Sequence, residues 1–366
     1  MTVLRRCRFC RSLHCRQMPV CNTVRPFYST RSTPHFGAAS MRRLYLFCLA
    51  LFFGLASSAH AAGLQLLDTD PTLAGAIWYP CAAEPQPVPL GKVSMNFITT
   101  LQGVKDCPVS GSRLPLAIIA HGRGGWFGGH DDTAQALADA GFVVAAINYP
   151  GDNGADRSRS DSLSIIAARP KETIRLLDFM LNEWRDRAVI DPDKIGFFGF
   201  SAGAYTGLIL AGARPDYQKI AGLCTEGNHS PGCEQFRRGD IPPEPAHEPR
   251  IRAAVLADTA LNFMFSADGL TDVHIPLLIW RSKSGGGGID PKNVVLTASS
   301  LPGKPEVRVM PAGHFGFLAP CTEKFAAELP RLCTDPPGFD RTAFHHELNA
   351  SIVSFLRDHL AAERKP

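Results

Sequence analysis

The sequence predicts a mostly parallel β-sheet covered by helices on both faces, and three observations carry that expectation. From residue 114 onward, short apolar runs alternate with amphipathic stretches. The apolar runs are continuous, as strands buried on both faces require. Acids open and glycines close several of the helical patterns between them. With 366 residues, 45% apolar and 20% charged, the chain has an ordinary globular composition and enough length for a sizeable core.

The elements follow in order. GAIWYPC (75–81) and KVSMNFIT (92–99) are strand-like runs separated by the proline-rich AEPQPVPLG, and together they suit an antiparallel edge. LPLAIIAH (114–121) is a buried strand, DDTAQALADAG (131–141) a helix with acids at its start, and FVVAAINYP (142–150) a second buried strand. KETIRLLDFMLNEW (171–184) is expected to be a helix, followed by strand KIGFFGF (194–200) and helix AGAYTGLILAG (202–212). Further strands are expected at IRAAVLA (251–257), IPLLIW (275–280) and PEVRVMP (305–311), and a last long helix over 341–364. Between the helix at 202–212 and the strand at 251 lies an irregular insert, about 213–250. It is too long for a simple connection and is expected to form a lid or a wall of a cleft. The alternation of strand and helix implies a parallel sheet.

The formal charge of +4 is misleading, because nine arginines and no acid precede Ala62. The remainder carries 29 basic and 34 acidic residues, a formal charge of −5, which gives no support to nucleic-acid binding. From Met41, two arginines, an apolar run from Leu44 to Ala56 and the Ala59-His60-Ala61 step have the order of a secretory signal peptide. The run is short for a membrane span, so cleavage before Ala62 is expected over a retained anchor. The chain then divides into 1–40, an untranslated or unstructured leader, 41–61, the signal, and 62–366, one folded domain. Cys7-x-x-Cys10 has half the spacing of a zinc site, but an arginine-rich extension is the expected setting, and no metal or cofactor is predicted. Six cysteines follow Ala62, and an even number in an exported chain implies disulfides. Sequence-local pairing gives Cys81–Cys107, Cys224–Cys233 and Cys321–Cys333, and a periplasmic or secreted location.

KIGFFGFSAGAYTG (194–207) places Ser201 between Gly199 and Gly203, where a strand ends and a helix begins. That context makes G-x-S-x-G a nucleophile elbow, with the serine oxygen raised above the sheet edge; the bland alternative is a serine that caps the helix. An attacking serine needs donors for the oxyanion it creates. The glycine-rich His121-Gly122-Arg123-Gly124-Gly125 turn after the strand at 114 supplies one, so the N–H groups of Arg123 and Ala202 are the expected pair. The base is expected after the last strand, where His314 lies three residues past Pro311. His345 and His346 fall mid-helix, and His229 and His247 fall in the insert. The acid has two candidates. Asp258 ends the strand IRAAVLA, at the edge where this architecture presents functional groups. Asp290 follows the next strand but stands before Pro291 like a helix cap.

The set HGRGG, GFSAG, AAVLAD and AGHFGFLAPC, with the ending CTDPPGFDRTAFHHELNASIVSFL, resembles bacterial dienelactone hydrolase-like proteins related to platelet-activating-factor acetylhydrolases. The resemblance spans about residues 64–360 and implies an α/β-hydrolase fold and a small-molecule or lipid ester as substrate. In the acetylhydrolase branch the acid follows the strand after the nucleophile helix, which corresponds to Asp258. True dienelactone hydrolases carry a cysteine where this chain has Ser201, so the resemblance implies chemistry more than substrate. A peptidase or thioesterase would use the same three residues, and a silent binding protein would keep only the fold.

Overall fold

Alternate residues of the central strands are buried on opposite sides of a single sheet. In β5 (Leu114–Ala120), Leu116, Ile118 and Ala120 join one apolar cluster while Ala117 and Ile119 join another. In β7 (Ile190–Phe200), Ile195 and Phe197 face the first side and Phe198 and Phe200 the second. A strand apolar on both faces must be covered on both, and helices cover it. The computed structural model describes residues 61–95 and 97–361, all within one compact unit. The predicted leader with its cysteines, and the predicted signal up to residue 60, lie outside these residues.

The sheet has ten strands in the order β10-β9-β8-β7-β5-β6-β2-β1-β4-β3. The remaining strands are β1 (Ala61–Leu67), β2 (Gly75–Cys81), β3 (Gln86–Pro89), β4 (Thr100–Lys105), β6 (Val143–Ile147), β8 (Ile251–Ala257), β9 (Leu277–Ser282) and β10 (Glu306–Met310). Pairing is parallel from β10 through β6, whereas β2 pairs antiparallel with both β6 and β1. The fold is that of an α/β-hydrolase, as the sequence predicts.

Helices α1 (Asp131–Asp139) and α8 (Arg341–Ala361) pack on the second face; α2 (Leu163–Asn182), α3 (Ala202–Leu210) and α5 (Pro291–Ser300) pack on the first. The remaining helices are short: α4 (Pro231–Arg237), α6 (Glu323–Glu328) and α7 (Pro330–Cys333). α8 buries Phe344, Leu348, Ile352, Leu356 and Leu360, a stripe at four-residue spacing. Each such burial stabilises by about 1.5–3 kcal/mol, against about 0–1 kcal/mol for an exposed ion pair. The stripe therefore holds this helix in place.

Three expectations need correction. KVSMNFIT is not a strand: residues 91–93 form a 3₁₀ turn, Met95 and Ile98 make an isolated bridge, and the strand follows at Thr100. Leu90, Val93 and Met95 are buried there as a folded-back loop, so an apolar run satisfied its burial without extension. The proline-rich separator contains edge strand β3, which pairs on one side only and therefore tolerates proline. Helix α2 begins at Leu163, eight residues before the predicted start, with the Ser162 hydroxyl capping Ile165 N. Pro170 lies inside it. Its missing N–H costs one helical bond, but the preceding turns are anchored by the buried Leu163, Ile165 and Arg169.

The three predicted disulfides are present, Cys81–Cys107, Cys224–Cys233 and Cys321–Cys333. The insert carries a 3₁₀ turn (Tyr217–Leu223) and α4, tied together by Cys224–Cys233. Among the described residues, no helix is long and apolar enough to cross a membrane.

Candidate active site

Five strand ends and loops converge at the carboxyl edge of the sheet. β7 ends at Phe200, and Ser201 turns the chain into α3 with φ 57° and ψ −116°. The two flanking glycines are required by close approach. A Cβ on Gly199 would lie 2.4 Å from the Gly203 carbonyl oxygen, and one on Gly203 would lie 1.9 Å from the Ala120 carbonyl oxygen. Any side chain at either position would push α3 off the strands and move Ser201.

His314, in a 3₁₀ turn after β10, donates or accepts at both ring nitrogens within the site. Its Nε2 lies 3.1 Å from Ser201 Oγ, and its Nδ1 lies 2.7 Å from Asp258 Oδ2. Ser201, His314 and Asp258 are 7%, 3% and 0% exposed, so water does not compete for these bonds. The imidazole stacks on Phe200 with ring centroids 4.6 Å apart, and its backbone N–H donates to the Gly285 carbonyl at 2.7 Å. The glycine run beside it holds four successive positive φ values, at Gly285, Gly286, Gly287 and Gly288. A Cβ on Gly287 would lie 2.5 Å from the His314 ring, so the run lets the backbone fold against the imidazole.

The structure thus brings Ser201, His314 and Asp258 into one hydrogen-bonded chain. Asp290 is exposed and caps α5, its Oδ1 accepting from Lys292 N at 2.9 Å. Gly122 abuts the serine: a Cβ built on it would lie 3.1 Å from Ser201 Cβ. The N–H groups of Arg123 and of Ala202, the first residue of α3, have no acceptor among the described residues. His229 pairs with Glu234 in the insert. His345 is buried, its Nδ1 2.6 Å from Asp132 Oδ2 and its Nε2 3.0 Å from the Gly316 carbonyl, so it ties α8 to the His314 turn. No cluster of three or more metal-ligating side chains occurs among the described residues.

Sequence reasoning missed two supports of this site. Ser282, at the end of β9, donates its N–H to Asp258 Oδ1 (2.8 Å) and its hydroxyl to Oδ2 (2.7 Å). A serine at the strand end where an acid was sought was the available signal. Beneath the loop 121–125, Arg169 pairs with Asp152; nothing in the periodicity marks either residue.

A cleft of about 1340 Å³ opens over Ser201 and His314. Phe97, Leu101 and Phe325 line one side, and Ile220, Leu223 and Cys233 of the insert line another. His130, also in its wall, is 1% exposed, with rings of Phe198 and Phe200 each 5.3 Å away. Burial lowers its pKa to about 4, with Asp132 opposing and His345 reinforcing the shift. Because the folded value lies below the unfolded one of about 6.5, the unfolded chain binds the extra proton between these values. The stability linked to His130 is complete above about pH 6.5 and lost as pH falls through about 4. His130→Phe is expected to remove about 3 kcal/mol of that acid sensitivity. Urea unfolding at pH 8 and pH 4.5 checks it: a pH dependence as steep as wild type would refute the assignment.

The prolyl oligopeptidase family model matches residues 129–223, a stretch that includes Ser201. Among solved structures, the chain is similar to a ferulic acid esterase from Streptomyces cinnamoneus, with 16% identity and a TM-score of 0.50 over 85% of this chain and 93% of that one. This likeness supports the fold. No curated protein matches the chain.

Proposed function

We propose that this chain is an exported serine hydrolase that cleaves carboxylic esters through an acyl-enzyme. The observation that carries the reading is the buried chain of hydrogen bonds from Ser201 Oγ through His314 to Asp258, at the floor of an open cleft. Ser201 Oγ attacks the ester carbonyl carbon while His314 Nε2 takes its proton. Asp258 accepts from Nδ1–H throughout and stabilises the imidazolium. The carbonyl oxygen, now an oxyanion, receives the N–H groups of Arg123 and Ala202. Collapse breaks the bond to the alcohol, which leaves with the proton from His314. Water then attacks the acyl-enzyme, again losing a proton to His314, and collapse breaks the bond to Ser201 Oγ, which takes that proton back from His314 as the acid departs. The apolar side of the cleft suits an acyl or aryl group.

Export rests on the signal pattern before Ala62 and on the three disulfides, which belong to an oxidising compartment. The segment 213–250 serves as a wall of the substrate cleft. A peptidase reading is favoured by the family match around Ser201, and one panel separates the two. Mature protein, expected to begin at Ala62 with no free thiols, is offered p-nitrophenyl esters of increasing chain length, a thioester and a prolyl peptide anilide. Ester turnover is expected to exceed peptide turnover by at least about 100-fold, roughly 3 kcal/mol in the barrier. Peptide cleavage at equal or greater efficiency would establish the peptidase instead, and a cytoplasmic chain with six free thiols and Met41 retained would remove export.

A further inference from the structure

A buried ion pair lies directly beneath the loop 121–125. Arg169, on α2, and Asp152, just after β6, are 1% and 2% exposed. The guanidinium donates from Nε and Nη2 to Asp152 Oδ2 (2.9 and 2.7 Å), from Nη1 to the His121 carbonyl (2.8 Å) and from Nη2 to the Gly122 carbonyl (3.1 Å). It rests on Tyr149, with Cζ 4.2 Å from the ring centroid. A buried pair contributes little net stability compared with apolar residues of similar volume. Its contacts point to another role, because two of its four bonds end on carbonyls of the oxyanion loop.

Those bonds decide which way the loop's peptides face. In a planar trans peptide the C=O and N–H point in opposite directions. With the Gly122 carbonyl turned down to Arg169, the Arg123 N–H of the same peptide is turned up, toward the side where Ser201 abuts Gly122. The Gly122 carbonyl is held further by Gly125 N (3.1 Å) and His121 Nδ1 (2.7 Å). Burial and then the charge of Arg169 hold the His121 pKa at about 3, so the ring is neutral. Its Nε2 accepts from Tyr149 N at 3.3 Å, which leaves the proton on Nδ1 for the Gly122 carbonyl. Asp152 Oδ1 accepts from Gly124 N at 3.0 Å and from Ser160 Oγ at 2.6 Å. The next N–H of the loop is thereby withdrawn from the cleft, and Arg123 alone of these two presents its N–H to it.

We propose that Arg169, with Asp152 as its counter-ion, is a positioning residue for the oxyanion hole, holding the loop 121–125 in the peptide orientation that presents the Arg123 N–H to the developing charge. The role rests on the serine-hydrolase reading of Ser201. Arg169→Lys keeps a cation against Asp152 but loses the planar fork that reaches two carbonyls at once. Its kcat per active site, counted by fluorophosphonate titration, is expected to fall about 100-fold, the scale of one lost oxyanion-hole donor. KM should stay within about threefold, as befits an interaction made in the transition state. Affinity for a trifluoromethyl ketone, which forms the tetrahedral oxyanion, should fall in step with kcat/KM. A purely structural role would lower melting temperature and the titrated fraction while leaving kcat per titrated site unchanged, and that result overturns the proposal. If Arg169→Lys does not fold, Arg169→Gln/Asp152→Asn, which leaves no unpaired buried charge, carries the same expectation and the same refutation. Ser201→Ala run alongside separates the two ideas. Turnover within about tenfold of wild type there overturns the serine reading and this proposal together, whereas turnover reduced there as expected but normal in the Arg169 variants overturns this proposal alone.

Discussion

Ser201→Ala is expected to lower kcat for ester hydrolysis by about 10⁵–10⁶-fold, the scale for a lost serine nucleophile, and to abolish labelling by a fluorophosphonate. Among the described residues no other hydroxyl meets His314: its Nε2 bonds only to Ser201 Oγ, and its Nδ1 only to Asp258. The change is expected to leave the fold intact, because among the described residues the hydroxyl makes no other hydrogen bond and alanine differs from serine only by that hydroxyl. The melting temperature should therefore match that of wild type. Residual turnover above the uncatalysed rate should survive, from the oxyanion donors and substrate binding alone. Labelling that persists in a folded Ser201→Ala protein would remove Ser201 as nucleophile.

Asp258→Asn is expected to lower kcat by about 10⁴-fold. The surroundings of Asp258 explain why an amide fails there. All three of its partners donate: Ser282 N to Oδ1, Ser282 Oγ and His314 Nδ1 to Oδ2. An asparagine must offer its NH₂ to one side. The Ser282 backbone N–H cannot reorient, so the amide oxygen stays there and the NH₂ faces His314 Nδ1. The imidazole then places its proton on Nε2, where it cannot accept one from Ser201. Asp290→Asn should leave turnover within about twofold, since asparagine caps helices about as well as aspartate. Rate measurements on both variants test the assignment, and a near-normal Asp258→Asn beside an inactive Asp290→Asn would reverse it.

The ease of reading each part followed the distance over which its cause acts. Strand–helix alternation, the elbow at 199–203 and the loop at 121–125 are local patterns, set by side-chain periodicity and by glycines a few residues apart. The run at 92–99 misled because apolar residues satisfy burial in a folded-back loop as well as in a strand. Helix α2 starts eight residues ahead of the predicted 171 and runs through Pro170, because contacts that hold its first turns, such as Arg169 to the His121 carbonyl, come from other elements.

Alone, the sequence determined the layered parallel sheet, the serine raised at a strand end and a histidine beyond the last strand, because each is written in neighbouring residues. The tertiary structure decided which aspartate meets that histidine, that Ser282 braces this aspartate, and that Arg169 faces the loop 121–125. His314 lies 113 residues from Ser201 and 56 from Asp258, and Arg169 lies 48 from His121. Contacts across such separations exist only once strand order has set β8 beside β7 and β9, with α2 beneath β5. Strand order is a property of the whole packed core, where burial of every strand is satisfied at once, and no local pattern encodes it.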